Sequence, residues 1–426
     1  MSTATDTKPE EPKTPEDGEP KESFAGVFGR YLVTANTLMV TIYSLILALI
    51  IGGLLIIVSD PEVRSAWTYF FSRPQDALSA SWEAVSSTYA NLFNASIVNF
   101  NTVGAWLSGE TTFGRVLNPL SETLFYATPL ILTGLAVALA FKAGLFNIGA
   151  EGQAIMGAVA ATVVGVALGL PFFLHLPLAL IAGAVAGFLY GAVPGVLKAK
   201  TGAHEVIVTI MMNFIALHFL LWSLRTPLLE HPERTELVSQ SVDESARLPH
   251  LIGFLGSHLR VHLGLFVALA AAVFTWWLLS RSTFGFRIRA VGANADASAV
   301  AGISVARTYG SNMGVSGALA GIGGAVVLLG LSPYYMTDDR VANIGFDGIT
   351  VALLARANPY GVIAAAFLFG ALRAGTQAMQ PEIPIEMATL LQAIIVLFIA
   401  APAMVKAFLH LRTPRGGMTT LAAKGW

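Results

Sequence analysis

Two six-residue stretches hold most of the chemistry that this sequence could perform: Asn147-Ile-Gly-Ala-Glu-Gly152 and Asn343-Ile-Gly-Phe-Asp-Gly348. Both read Asn-Ile-Gly-x-acid-Gly, and both lead into an apolar, Ala-containing run. Paired glycines interrupt helices, and the backbone groups they free are tolerated at membrane depth only where protein or a water-filled cavity surrounds them. A carboxylate near such an interior is costly, so where one occurs it marks a route for solute or ion. Glu151 and Asp347 are therefore candidates for lining or gating a translocation path, with Asn147, Gln153 and Asn343 beside them. Asn213, a polar group inside a later apolar run, either bonds across helices or faces the same path. A plainer reading makes each motif a Gly-rich turn at a helix start, with the acid favoured by the helix dipole. The two readings are evenly matched for either motif alone; the recurrence of the motif in corresponding positions favours the path.

Covalent and metal chemistry find no support. The chain has no Cys, so thiol nucleophiles, disulfides and Cys-ligated metals are excluded. Its eight His are scattered without a His-Glu-x-x-His pair, and no Ser stands in a nucleophile elbow. No Gly-x-x-x-x-Gly-Lys-Ser/Thr loop is present, so the chain does not bind ATP in the usual manner and any ATP-derived energy comes from another subunit. A net charge of -1 without a basic stripe argues against a nucleic-acid partner. No cofactor is expected.

The elements that must position these residues follow from composition. Of the 426 residues, 55% are hydrophobic and 12% charged, against roughly 25% charged in soluble domains. The excess gathers in runs long enough to cross a bilayer. The expected fold class is an all-α polytopic membrane protein with about ten transmembrane helices. The spans run Leu38–Val58, Ser121–Phe141, Gln153–Leu170, Leu176–Leu197, Val206–Leu224, Val261–Leu279, Tyr309–Leu331, a short Phe346–Leu354, Val362–Met379 and Ala388–Phe408. Lys142, Lys198, Lys200, Arg281, Arg356 and Lys406 then fall on one face, which the positive-inside rule makes cytoplasmic, with both termini inside. Residues 1–24, rich in Pro, Glu, Lys and Thr, read as a disordered cytoplasmic tail ahead of a membrane domain over 25–426. Segments 59–115 and 225–260 lie outside. The first holds Trp67, Phe70, Phe71, Trp82 and Trp106, which suits either interfacial helices or a cap over the outer mouth.

In this topology the first Asn-Ile-Gly motif leads a span heading outward and the second leads one heading inward. That is the signature of an inverted repeat, spans two to five mirrored by seven to ten. Gly183, Gly187, Gly191 and Gly195, with Gly317 and Gly321, recur every four residues and predict close helix contact.

The loop at 281–303 is too polar and short to span, and its second half has good helix propensity. It suits docking into a groove on another protein, or serves as a plain connector. It resembles the coupling loop of permeases in the bacterial ABC importer family that serves ribose, other simple sugars, nucleosides and branched-chain amino acids, through Arg289-Ala-Val-Gly292, Asn294 and Ala301-Gly-Ile303. Phe141-Lys-Ala-Gly-Leu-Phe-Asn-Ile-Gly-Ala-Glu-Gly-Gln153 and Thr201-Gly-Ala-His-Glu-Val-Ile-Val-Thr-Ile-Met-Met-Asn213 resemble its nucleoside and simple-sugar branch. The resemblance implies a fold similar to vitamin B12-type importer permeases, in a bacterial inner membrane. It also implies a second permease subunit (homo- or heterodimer), a cytoplasmic ATPase and an external substrate-binding protein. By the same resemblance Gly285, Arg287, Arg289, Gly292, Asn294, Asp296 and Gly302 contact the ATPase. The reading is an importer permease for nucleosides or simple sugars; its rival is an ion-coupled secondary transporter, which also uses inverted repeats.

Overall fold

The computed structural model describes residues 37–256 and 258–378, together with 389, 390, 393, 394, 397 and 398. The expected tenth span falls almost wholly outside these residues, and the acidic tail wholly so. Among the described residues there is no strand, only two isolated bridges, Glu230 with Ser239 and His250 with His262.

The helices are α1 (Thr37–Ser59), α2 (Pro61–Thr68), α3 (Pro74–Ser96), α4 (Phe100–Leu107), α5 (Phe113–Lys142), α6 (Ala150–Ala167) and α7 (Phe172–Thr201). They continue as α8 (Glu205–Ser223), α9 (Gly264–Arg281), α10 (Thr283–Ala293), α11 (Ala295–Val300), α12 (Val305–Gly330), α13 (Ile344–Leu354) and α14 (Pro359–Ala378). Eight of them, α1, α5 to α9, α12 and α14, are long and apolar enough to cross a membrane, and α13 is a shorter apolar helix. The first nine expected spans thus recur as helices with shifted ends. The largest shift is in α5, which begins at Phe113 rather than Ser121. Its first turns carry Arg115, Asn118 and Glu122, which line a polar cavity and hide the helix from a hydropathy reading. Segment 59–115 is helical, holding α2, α3 and α4. Within it Trp67 stacks on Phe70 at 4.9 Å, while Phe71 and Trp82 stand exposed.

Two helices form the centre. α5 and α12 are buried along most of their length, whereas α7, α8 and α9 bury only a minority of theirs. The outward faces of α7 and α8 carry Phe173, Ile181, Leu189, Phe214 and Ile215. Contiguous apolar exposure of this kind suits hydrocarbon rather than water. The expected glycine ladders meet in a single seam. A Cβ built on Gly187 would lie 2.2 Å from the Gly317 carbonyl oxygen, and one on Gly321 2.3 Å from that of Gly183. Backbone therefore touches backbone between α7 and α12, and only small residues permit it.

Candidate functional site

The first Asn-Ile-Gly motif sits between the end of α5 and the start of α6, where Gly144 takes a left-handed φ of 71° to turn the chain. The Asn147 amide donates to Gln153 Oε1 at 2.9 Å and to Ser316 Oγ at 2.8 Å. Gln153 Nε2 donates back to Asn147 Oδ1 at 3.1 Å. Ser316 in turn donates to the Ala136 carbonyl at 2.6 Å, so one network ties α5, α6 and α12. From α8, Asn213 donates to the Ile148 carbonyl at 3.0 Å and accepts the Gly152 N–H at 2.9 Å. Of the two options open for Asn213, the cross-helix bond is therefore made.

The second motif meets the first. Glu151 accepts the Asn343 N–H at 2.6 Å on Oε1 and the Gly345 N–H at 2.8 Å on Oε2. Its carboxylate thus caps the N-terminus of α13, where unpaired N–H groups and the helix dipole favour negative charge. The approach is close: a Cβ on Gly345 would lie 2.2 Å from the Glu151 backbone nitrogen. Asn343 adopts a φ of 68°, a left-handed conformation that Asn tolerates better than most residues. Asn147, Glu151, Gln153 and Asn213 are all buried, while Asn343 is exposed and Asp347 partly so. Asp347 does not mirror Glu151. It pairs sideways with Arg373 of α14 at 3.4 Å, and that guanidinium lies 5.6 Å from the Tyr126 ring centroid on α5. The six residues expected along a path are thus gathered around one joint, with Asp347 a turn further along α13.

The open space lies elsewhere. A cavity of about 1270 Å³ opens beside the first half of α5, walled by α3, α4, α5 and the last turn of α14. Asn91, Asn94, Asn118, Glu122, Tyr126 and Gln377 contribute to its lining, with Arg260 from the segment ahead of α9. None of these was singled out from sequence. The one available signal was the run of polar residues Arg115, Asn118 and Glu122 just ahead of an apolar span. Arg260 donates to Glu122 at 2.8 Å and lies 4.1 Å over the Phe125 ring. Tyr126 donates to Gln377 Oε1 at 2.5 Å. Close by, in the loop preceding α9, burial together with the neighbouring His250 and Arg260 pushes the His262 pKa down to about 4. Its Nδ1 accepts the Gly264 N–H at 3.2 Å, as a neutral ring can.

At the opposite end of α5, the segment 281–303 divides into two helices. The expected short helix is α11; α10, which precedes it, was not foreseen. The structure separates the residues that the sequence grouped here. Gly285 and Gly292 serve close packing: a Cβ would lie 2.0 Å from the Leu278 carbonyl oxygen and 2.2 Å from that of Lys142. Asn294 caps α11, accepting the Ala297 N–H at 3.0 Å. Gly302 takes a left-handed φ of 80°. Arg287, Arg289 and Asp296 are exposed. With them stand Phe286, 60% exposed, and Val300, 91% exposed. Neither was expected from sequence, although apolar residues in a segment too polar to enter the membrane were the signal. Beside this surface Lys198 of α7 forms an ion pair with Glu205 of α8.

A bundle with eight helices long and apolar enough to cross a membrane, and a short helix capped by a carboxylate of another, is the architecture of a polytopic membrane protein. Residues 120–400 match the family described as branched-chain amino acid transport system / permease component, and the chain belongs to that family. It is similar to the guanosine ABC transporter permease protein NupP of Bacillus subtilis (strain 168), with 40% identity over 85% of this chain and 93% of that one. It is 37% identical to the nucleoside ABC transporter permease protein NupB of Lactococcus lactis subsp. cremoris, over 68% of this chain and 81% of that one. It is 35% identical to the glucose ABC transporter permease protein TsgB13 of Haloferax volcanii, over 66% of this chain and 75% of that one. No solved structure matches the chain.

Proposed function

We propose that this chain is the transmembrane permease subunit of an ATP-binding-cassette importer for nucleosides, working by alternating access. Simple sugars are the second substrate class, because a glucose permease is among its relatives. A cytoplasmic ATPase supplies the energy, an external binding protein delivers the solute, and a second permease, copy or homologue, completes the pore. The ten-span inverted repeat, the kinship with vitamin B12-type importer permeases and the cytoplasmic placement of both termini belong to the same reading.

The observation that carries it is the exposed surface of α10 and α11, in a chain with no phosphate loop of its own. Phe286, Arg287, Arg289 and Val300 offer apolar anchors beside guanidiniums, a combination enriched at protein interfaces. Gly292 against Lys142 links this surface to the end of α5, and five residues beyond Lys142 comes Asn147 of the joint. A push on α10 thus reaches the Glu151–α13 contact through packed backbone. In this proposal Asn147, Glu151, Gln153, Asn213, Asn343 and Asp347 act as the hinge of the path, setting α13 against α6, and the cavity beside α5 is its wall. Asn312 supports a moving seam: wholly buried in α12, its carboxamide has no partner for either end among the described residues. An unpaired buried polar group costs about 1–3 kcal/mol and favours leaving the state that holds it.

The test is a mild-detergent pull-down of the tagged chain, comparing wild type with Arg289→Ala plus Val300→Asp. Both sites are exposed, so the fold should survive; Gly292→Asp would instead force a clash with Lys142. The ATPase is expected to copurify with wild type and to fall by roughly two orders of magnitude in the variant, two lost anchors at about 1–2 kcal/mol each. Undiminished copurification in the variant would remove the docking role.

A further inference from the structure

The cavity beside α5 differs from an ordinary ligand pocket, whose walls are mostly apolar with a few polar groups. Its wall is rich in carboxamides: Asn91 and Asn94 from α3, Asn118 from α5 and Gln377 from α14. A carboxamide is neutral and offers donors and acceptors together. Among the described residues the formal charges balance: two carboxylates, Glu110 and Glu122, and two guanidiniums, Arg115 and Arg260, line it, with His258 beside them. Arg260 is already engaged by Glu122 at 2.8 Å. Among the described residues the wall thus carries no net positive charge to draw a phosphate or carboxylate group.

A second observation points to a ligand. Asn118 reaches the wall; its Oδ1 is shut from solvent and meets no donor among the described residues, so the other end of the amide is the one turned to the cavity, and it too has no partner there. The two ends of an Asn carboxamide exchange by a half-turn about χ2. Whichever end faces the cavity, the group carries hydrogen-bonding capacity that the protein does not use. Native proteins leave few buried polar groups unpaired, and each deserves a partner. Across the cavity, Gln377 Oε1 accepts the Tyr126 hydroxyl at 2.5 Å. That bond engages one end of the Gln377 amide and leaves the other without a partner among the described residues.

We propose that this cavity is a selectivity site within the permease for an uncharged ring solute bearing hydroxyl and amide groups, a free nucleoside rather than its nucleotide. Asn118 and Gln377 are its principal hydrogen-bonding contacts, and Tyr126 supplies an aromatic edge. Selection against the phosphorylated form follows from the balanced charge of the wall, since a dianion entering it would be desolvated against a wall with no net positive charge. The proposal rests on the importer reading, which places this end of α5 on the external side. It adds that the permease itself discriminates, and does not leave recognition wholly to the binding protein.

The test uses the permease–ATPase complex in lipid nanodiscs without its binding protein, and saturation-transfer NMR with uridine and uridine 5′-monophosphate as probes. Wild type is expected to give a uridine signal and little from the monophosphate. Asn118→Asp on α5 keeps the side-chain shape and adds charge; Gln377→Leu on α14 removes the donor. Each should weaken uridine binding by roughly tenfold, the equivalent of one lost hydrogen bond. Two variants on different helices guard against a single misfolded one, and retention of the ATPase confirms the fold of each. The proposal is overturned if wild type gives no uridine signal, if both folded variants match wild type, or if the monophosphate binds as well as uridine. ATP-driven nucleoside uptake by the complete importer separates the two readings. Uptake by wild type alongside any of those three results rejects this site alone, whereas absent uptake of both nucleoside and simple sugar rejects the importer reading itself.

Discussion

Glu151→Ala is expected to abolish transport and to lower the melting temperature in detergent more than any other single side-chain truncation at the joint. The carboxylate accepts two backbone N–H groups at the start of α13, at 2.6 Å and 2.8 Å. Hydrogen bonds to a charged group contribute about 1.5–3 kcal/mol each, and removing the acceptor leaves the Gly345 N–H buried and unpaired. The loss should therefore be on the order of 3–6 kcal/mol, the sum of two such bonds. Glu151→Gln should fall between wild type and alanine, because a carboxamide supplies one acceptor oxygen where two are used. Glu151→Asp should resemble alanine, since the shorter side chain cannot reach both donors without moving α6. Melting curves and uptake by reconstituted protein check the series. An alanine variant that melts and transports as wild type does would show that the contact holds nothing in place.

The second large effect is at the seam of α7 and α12. Gly187→Ala adds a single methyl group, but its Cβ would stand 2.2 Å from the Gly317 carbonyl oxygen and 2.8 Å from the Gly321 Cα. Both are backbone atoms of a helix, so no side chain can turn aside and the helices must part along the seam. Overpacking typically costs about 1–3 kcal/mol and occasionally more. Separation here would also strip the contacts between Gly183 and Gly321 and leave a gap, so the upper end of that range or beyond is expected. Gly187→Leu should not yield a monodisperse protein at all. Gly169→Ala serves as the control, since a Cβ there meets nothing within 4 Å. Size-exclusion profiles and thermal melts read the difference. Equal melting of Gly187→Ala and Gly169→Ala would contradict the backbone contact.

The spans were legible because each is a long apolar run, and length alone separates a crossing helix from a core strand. The glycine seam was legible because spacing by four puts small residues on one helix face. What sequence could not supply was partnership across the chain. Glu151 and Gly345 are brought together only by the fold, and a motif that reads as two similar turns proves to be the two halves of one contact. The same limit hid the cavity: Asn91, Asn118 and Gln377 come from three helices, and none is unusual in its own neighbourhood. The start of α5 was misplaced for a related reason, since residues facing a polar cavity weaken the hydropathy that marks a span. At 281–303 the glycines read as part of a docking surface, yet Gly285 and Gly292 are small because backbone carbonyls lie 2.0 Å and 2.2 Å from where a Cβ would stand. The exposed Phe286 and Val300 carry the apolar surface there instead.

As the importer proposed above, this chain moves a nucleoside through the membrane at the expense of ATP hydrolysed by a partner. The direct measurement is uptake of radiolabelled nucleoside into proteoliposomes holding the permease pair and its ATPase, with the binding protein outside and ATP enclosed within. Uptake should require enclosed ATP, be indifferent to dissipating proton and sodium gradients, and be lost with Arg289→Ala plus Val300→Asp. Uptake that proceeds without ATP and collapses with an ion gradient would contradict it and make the chain a secondary transporter.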